Sequence, residues 1–304
     1  MSSGACDISL VVSSRNRAYG LDSCLKAIGR AARAAGPAAV ELVFVDNGST
    51  DDTSAVVAAW ASSAPLPVRL LHEARPGLAV ARNTGIAAAR GGLIAFTDDD
   101  CEPEPGYFQA LSQAFAADEG PVLRGGRVEL GDARDLPVTI KPDIEPATLD
   151  RTLHPGGFIH GCNMAFPRAL IEAIGPFDER FGAGAPFRSG EDTDFTHRAF
   201  KAGFPVVYCP DIVVRHFHGR RLPEDIRKLQ SGYAFGNGAL YAKYLFDRRS
   251  NMRGMLRWDM RMAARELWTG QTMSAEMGLT YRGTMRDSLS GMMSYWLNRP
   301  AAGR

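Results

Sequence analysis

Four short apolar runs in the first hundred residues, each stopping on a polar turn, constrain this chain more than any other feature. Residues 8–13 give way to Ser14-Arg15-Asn16-Arg17, 40–45 to Asp46-Asn47-Gly48-Ser49-Thr50, 68–71 to the turn before Gly77, and 93–97 to Asp98-Asp99-Asp100. Helical patterns separate them, marked by Leu21, Leu25 and Ile28, then by Val56, Val57 and Trp60, then by residues 77–89. Strands alternating with helices of this length predict βαβ units and a parallel, doubly wound α/β sheet. Such sheets bind ligands at the carboxyl ends of their strands, where the polar turns fall. Three adjacent carboxylates repel one another, so Asp98-Asp99-Asp100 fits the surroundings of a divalent cation, and hard oxygen ligands suit Mg²⁺ or Mn²⁺. A solvated acidic turn is the plain alternative.

After residue 105 the alternation loosens. A helix is expected around Phe108, Leu111 and Phe115, a strand over 122–130, and a long loop over 131–156, a length typical of functional lids. Extended structure over 158–166 and a short helix over 169–174 follow. A glycine-rich approach over 182–190 then leads into Glu191-Asp192 and a helix carrying Phe195, Ala199 and Phe200. Strands over 206–208 and 212–214 end this body at Arg215-His216-Phe217-His218-Gly219.

The charge, +1 overall, is unevenly placed. From Arg220 onward 15 Lys and Arg face 7 Asp and Glu, a net of +8, which leaves −7 for residues 1–219. Residues 220–304 therefore read as a basic helical extension on an acidic body, suited to anionic surfaces or ligands. Pro223 suits a first helical position, Gly232, Gly236 and Gly238 mark close packing or a break, and Arg253, Arg257, Arg261 and Arg265 form one i, i+4 stripe. Met285, Leu289, Met292, Met293, Trp296 and Leu297 outline a second amphipathic helix. Five scattered cysteines without a C-x₂-C pair indicate neither a disulfide framework nor a zinc site, which points to a reducing compartment. No signal-peptide pattern or run of about 18 apolar residues appears, so a soluble or surface-lying protein is expected.

The ordered series Ser13 to Arg17, Asp46 to Thr53, Gly77-Leu78-Ala79-Val80-Ala81-Arg82-Asn83-Thr84-Gly85-Ile86, Thr97-Asp98-Asp99-Asp100 and Gly190-Glu191-Asp192-Thr193-Asp194-Phe195 resembles the inverting family 2 glycosyltransferases. The likeness spans residues 7–219. It implies a GT-A-like, Rossmann-like single domain with a mostly parallel sheet, its nucleotide-binding part over about 1–105 and its acceptor part over about 106–219. It further implies a nucleotide-sugar donor, usually UDP-linked, contacted by Ser13, Arg15, Asp46, Asn47, Arg82, Asn83, Asp98 and Asp99. Asn47 departs from the family's more frequent Asp. Asp98 and Asp100 match the Asp-x-Asp metal motif, with His218, or else His216, as a further Mn²⁺ or Mg²⁺ ligand. Asp192 matches the general base, with Glu191 as runner-up, while His154 and His160 lie where they can approach an acceptor.

The implied reaction is transfer of a hexosyl or N-acetylhexosaminyl group to a glycan or polyprenyl-diphosphate-linked acceptor in exopolysaccharide or cell-surface polysaccharide biosynthesis. The basic helices then suggest peripheral contact with anionic lipid at the inner face of the cytoplasmic membrane, and nothing in the chain suggests nucleic acid. A sugar nucleotidyltransferase is one alternative, but its glycine-rich phosphate loop after the first strand is missing. A non-catalytic glycan- or lipid-binding scaffold is another, and it would need neither acidic site.

Overall fold

A computed structural model describes residues 7–116 and 118–298; Cys6, Arg299 and Arg304, counted above, lie outside the described residues. The first half alternates as expected: β1 (Ile8–Ser14), α1 (Leu21–Arg33), β2 (Val40–Asp46), α2 (Thr53–Ala61), β3 (Val68–His72), α3 (Leu78–Ala88) and β4 (Leu93–Asp98). Then come β5 (Cys101–Pro103), α4 (Tyr107–Phe115), β6 (Leu123–Leu130), β7 (Ala147–Thr148), β8 (Asn163–Pro167), α5 (Arg168–Ile174), α6 (Glu191–Lys201) and β9 (Val206–His216). Three helices close the described chain: α7 (Pro223–Tyr244), α8 (Met252–Thr269) and α9 (Tyr281–Leu297).

One sheet runs β3-β2-β1-β4-β8-β6-β9-β5, with β7 on the flank of β9. The parallel ladders are the long ones: β1 pairs with β2 over seven residues, with β4 over six, and β6 pairs with β9 over eight. Alternation of side chains across each strand builds a core on both faces. Leu10 and Val12 pack with Leu21, Leu25, Phe108 and Leu111 on one side. Val11 packs with Ala79, Ala81, Phe195 and Ala199 on the other. Parallel strands buried on both faces need nearly continuous apolar sequence, which is why residues 8–13 and 40–45 carry so little polar alternation.

Two expected elements differ. Residues 158–162 form turns, and regular pairing begins only at Asn163. The two short strands expected over 206–214 are one strand, β9, broken by a register shift opposite Gly126 and Arg127. Pro210, with no N–H to donate, falls inside that shift. Asn163 repairs it by donating Nδ2 to the carbonyls of Arg127 and Ile212, both at 2.9 Å.

The basic extension is built into the body. Gly238 lies so near α9 that an added Cβ would stand 1.8 Å from the Ser288 carbonyl oxygen, and one on Gly236 would meet Ser189, so these two mark close packing, whereas a Cβ on Gly232 would meet nothing within 4 Å. Asp194 on α6, fully buried, accepts from Lys243 Nζ at 2.5 Å, Tyr244 Oη at 2.7 Å and Arg198 Nε at 2.8 Å. His197, 1% exposed, lies one helical step on, its ring 4.5 Å from that of Tyr244 and its Nε2 3.0 Å from Ser250 Oγ. Burial pulls the His197 pKa down to about 4.

An unfolded histidine titrates near 6.5, so below that pH the unfolded chain takes the proton first. Stability is therefore lost as pH falls from about 6.5 towards 4, by about 3 kcal/mol in total. The urea midpoint of wild type should drop across this interval and that of His197→Gln should drop less. Parallel profiles would show that His197 does not carry the effect.

Candidate active site

Strand β4 ends where its apolar run meets carboxylates that the sheet cannot bury without partners. Asp98 Oδ1 lies 3.3 Å from an Arg82 nitrogen. Asp99 turns towards the β1–α1 loop, accepting from Ser14 Oγ at 2.6 Å and lying 3.2 Å from Arg17 Nε. Asp100 sits 3.2 Å from another Arg17 nitrogen and 3.4 Å from His216 Nε2. Burial pushes Asp98 up to about 7 and Asp99 up to about 6. Burial acts on Asp100 as well, but His216 and Arg17 hold it below the usual carboxylate range. In return Asp100 lifts His216 to about 9 against the effect of burial.

Asp98 and Asp100 open onto a cleft of about 770 Å³ at the carboxyl ends of the strands, and Asp99 is not among the residues that line it. The start of α6 lines the same cleft, reached through Gly190 in a left-handed turn with φ of 89° that suits glycine. The loop predicted over 131–156 contributes Val138, Thr139, Ile140 and His154 to the same cleft, and α7 contributes Gln230, Tyr233 and Asn237.

Glu191 and Asp192 stand at the first turn of α6 but have different surroundings. Glu191 is buried and receives Arg82 Nη1 at 2.8 Å. Burial and the neighbouring Asp192 push its pKa upward, opposed by Arg82. Arg82 is itself 2% exposed and spans from Glu191 to Asp98, stitching the two acidic motifs together. Asp192 lines the cleft and makes no ion pair within 4 Å among the described residues. Its Oδ2 accepts from the Gly161 N–H at 3.1 Å and its Oδ1 from the Thr193 N–H at 2.6 Å. Two backbone donors thus fix the carboxylate without an ion pair on it among the described residues.

The residues present fit a divalent cation. Asp98, a third of whose side chain remains exposed, and Asp100 supply hard oxygens on one wall. The His218 ring, with no exposed side-chain surface, has an Nε2 without any hydrogen-bond partner, while its Nδ1 accepts from the Arg220 N–H at 3.0 Å. With Nδ1 accepting, the neutral ring carries its proton on Nε2, so His218 as oriented is a donor rather than a ligand, and it is not among the residues that line the cleft. His216, by contrast, already contacts Asp100, and its Nδ1 lies 3.1 Å from the Thr139 carbonyl oxygen.

Comparison with known proteins bears on this arrangement. The model of the family described as glycosyl transferase family 2 matches residues 9–175, more than half of the chain. The chain belongs to glycosyl transferase family 2. Among curated members, glycosyltransferase AglE of Haloferax volcanii is 25% identical over 219 residues, covering 69% of this chain and 66% of its own. The pre-mycofactocin glycosyltransferase of Mycobacterium tuberculosis is 26% identical over 243 residues, 73% of this chain but 45% of its own. The chain thus spans two thirds or less of the length of these relatives.

Solved structures show the same fold. TarS of S. aureus in complex with UDP superposes with a TM-score of 0.55 at 17% identity, over 96% of this chain and 92% of its own. The mannosyltransferase PcManGT of Pyrobaculum calidifontis, in complex with GDP-Man and Mn²⁺, gives 0.58 at 19%, over 97% and 87%. The expected GT-A-like α/β architecture with its mostly parallel central sheet therefore holds, and the C-terminal helices are present.

In this family 2 member the expected donor contacts divide into two groups. Arg82 and Asp98 reach the cleft. Asn47 and Asn83 do not line it: Asn47 bonds the backbone of Glu73, Arg75 and Gly77, and Asn83 ties α3 to Phe177 through both amide atoms. Asp46 is taken up by the Ser49 N–H and the Ser54 hydroxyl. Arg15 is exposed on the β1–α1 loop, and Ser13 Oγ, buried without a partner, lies on the same strand end. Of the candidate acceptor histidines, His160 and His154 both line the cleft.

Arg17 and Ser14, which hold the acidic turn, were quoted in the motif but not singled out, because nothing in their spacing distinguishes them from Arg15 and Ser13. Arg220 also lines the cleft, with a buried Nη1 that has no partner, and the tail's general basicity was its only advance signal.

Proposed function

We propose that this chain is a metal-dependent, inverting glycosyltransferase that moves a sugar from a nucleotide-sugar donor, UDP-linked by preference, to a hydroxyl of a glycan or lipid-linked acceptor. The observation that carries the reading is Asp192, the one cleft carboxylate of the two acidic motifs that makes no ion pair within 4 Å among the described residues, lining the same cavity as Asp98 and Asp100. A general base needs a charged, oriented carboxylate open to substrate. Asp192 would take the acceptor hydroxyl proton as the acceptor oxygen bonds to the anomeric carbon from the face opposite the diphosphate. The sugar–phosphate oxygen bond breaks in the same step, and the nucleoside diphosphate departs.

A Mn²⁺ or Mg²⁺ ion held by Asp98 and Asp100 would supply charge stabilisation for that leaving group. Arg220 is placed to meet the diphosphate. UDP in TarS and GDP-Man with Mn²⁺ in PcManGT support a nucleotide and a divalent cation in this fold. Calorimetric titration of the Asp100→Ala variant with UDP and Mn²⁺ tests the assignment. The heat seen with wild type should vanish, and an unchanged isotherm would move the cation elsewhere.

We further propose that the chain works at the inner face of the cytoplasmic membrane, in surface-polysaccharide synthesis. Arg257, Arg261 and Arg265 are exposed along α8, Arg253 is half-buried, and Trp268 is 91% exposed beside them. No helix of the described residues is long and apolar enough to cross a membrane. Each basic residue near an anionic surface contributes about 1 kcal/mol. Changing Arg257, Arg261 and Arg265 to Gln should therefore cut binding to phosphatidylserine vesicles by about 100-fold at physiological salt. Undiminished sedimentation with vesicles would exclude α8 as the contact.

A further inference from the structure

Below the cleft lie two core cysteines that the proposed reaction does not use. Cys101, the first residue of β5, and Cys162, in the turn before β8, are 61 positions apart in the chain (162 − 101), yet their sulfurs and a ring nitrogen of His216 lie within 4.8 Å of one another. All three side chains are buried, and Cys162 and His216 line the cleft floor, which leaves a path for a small ion. Asp100 Oδ1 lies 3.9 Å from Cys101 Sγ and 3.4 Å from His216 Nε2, a carboxylate oxygen beside two of the three. The His216 Nδ1 lies 3.1 Å from the Thr139 carbonyl oxygen, a second contact of the kind that orients metal-bound imidazoles and turns Nε2 towards the ion.

We propose that Cys101, Cys162, His216 and Asp100 form a binding site for a single soft divalent cation, Zn²⁺ by class, beneath the donor cleft. Two thiolates, one imidazole and one carboxylate are a tetrahedral zinc donor set, with Zn–S near 2.3 Å and Zn–N near 2.0–2.1 Å. The sulfur and nitrogen atoms need to close by only about 1 Å to reach such distances. Thiolate selects Zn²⁺ over Mg²⁺ and Mn²⁺, which prefer oxygen. On binding, each thiol gives up its proton to solvent and forms a sulfur–metal bond, with no change of oxidation state. Because Asp100 serves both this site and the proposed Mn²⁺ or Mg²⁺ site, bound zinc would antagonise donor binding. That consequence, unlike the site itself, rests on the function proposed above.

The test uses the reduced, chelator-treated full chain titrated with Zn²⁺ alone and, in parallel, with Co²⁺ as a spectroscopic probe. Wild type should retain one Zn²⁺ per chain after desalting and show a Co²⁺–thiolate charge-transfer band. Cys162→Ser, which leaves only the Cys101 thiolate, should cut the band by about half and bind Zn²⁺ at least about 100-fold more weakly, beyond the loss seen when only an outer-shell partner is removed. Asp98→Asn, which alters only the proposed donor-metal site, should leave both readouts intact. Protection of Cys162 from iodoacetamide by Zn²⁺ in wild type, read by mass spectrometry, gives the same answer without relying on the fold of any variant. A Co²⁺ spectrum without a thiolate band, or alkylation of Cys162 at an unchanged rate, would overturn the site. Loss of Zn²⁺ binding in Asp98→Asn would instead assign the zinc to the donor-metal position and overturn it equally.

Discussion

Asp192→Asn should lower sugar transfer by about 10²–10⁴-fold, the range for losing a positioned general base, while donor binding stays within a few-fold of wild type. The amide matches the carboxylate in shape, and its oxygen can still accept the Gly161 or Thr193 N–H that orients the side chain. What it loses is the capacity to take a proton from an attacking hydroxyl. Because Asp192 makes no ion pair among the described residues, no cation is stranded by the change, and stability should move little. Glu191→Gln makes the contrast. Glu191 is bound to Arg82, so its replacement should act on folding and on the position of Arg82 rather than on proton transfer. Single-turnover assays that separate donor hydrolysis from transfer distinguish the two. Full turnover by the Asp192 variant would send the base role to another residue.

Arg82→Met should be the most destabilising single change in the site. Arg82 is 2% exposed and lies between Asp98 and Glu191, so removing it leaves two carboxylates facing each other in a buried region without their cation. Breaking one partner of a buried charge network costs about 3–5 kcal/mol. For a chain of this size that corresponds to a fall in Tm of about 5–8 °C. The double variant Arg82→Met, Glu191→Gln should recover part of the loss, because one of the two stranded charges is gone. A melting curve for Arg82→Met within 2 °C of wild type, on the same scale, would show that the bridge is not held in solution.

The elements whose cause is local were legible in the sequence. The four strands of the first hundred residues follow from apolar runs buried on two faces, and Pro223 and the close-packed Gly238 sit as their chemistry requires. Asp98, Asp100, Glu191 and Asp192 were marked in the sequence through the motifs that carry the family resemblance, and the fold brings all four to one cleft. Pairings that only the fold creates were not legible. Arg82 meeting Glu191, 109 positions away, has no periodic signature, nor does the meeting of Cys101, Cys162 and His216. Asn47 and Asn83 were expected at the nucleotide, but their amides satisfy loop backbone instead, a demand invisible until the loops are closed. Between the two histidines spaced for one strand face, sequence alone could not separate His216, on the cleft and engaged with Asp100, from His218, which does not line it.

The central claim is that Asp98 and Asp100 support a nucleotide sugar through a divalent cation in the cleft that Asp192 faces. Thermal stabilisation of the full chain by a panel of nucleoside-diphosphate sugars, each with Mn²⁺ and with chelator, tests it most directly. At least one donor should raise Tm in the presence of Mn²⁺ and fail to do so with chelator or in Asp100→Ala. A panel that stabilises equally with and without metal, or not at all, would contradict the account.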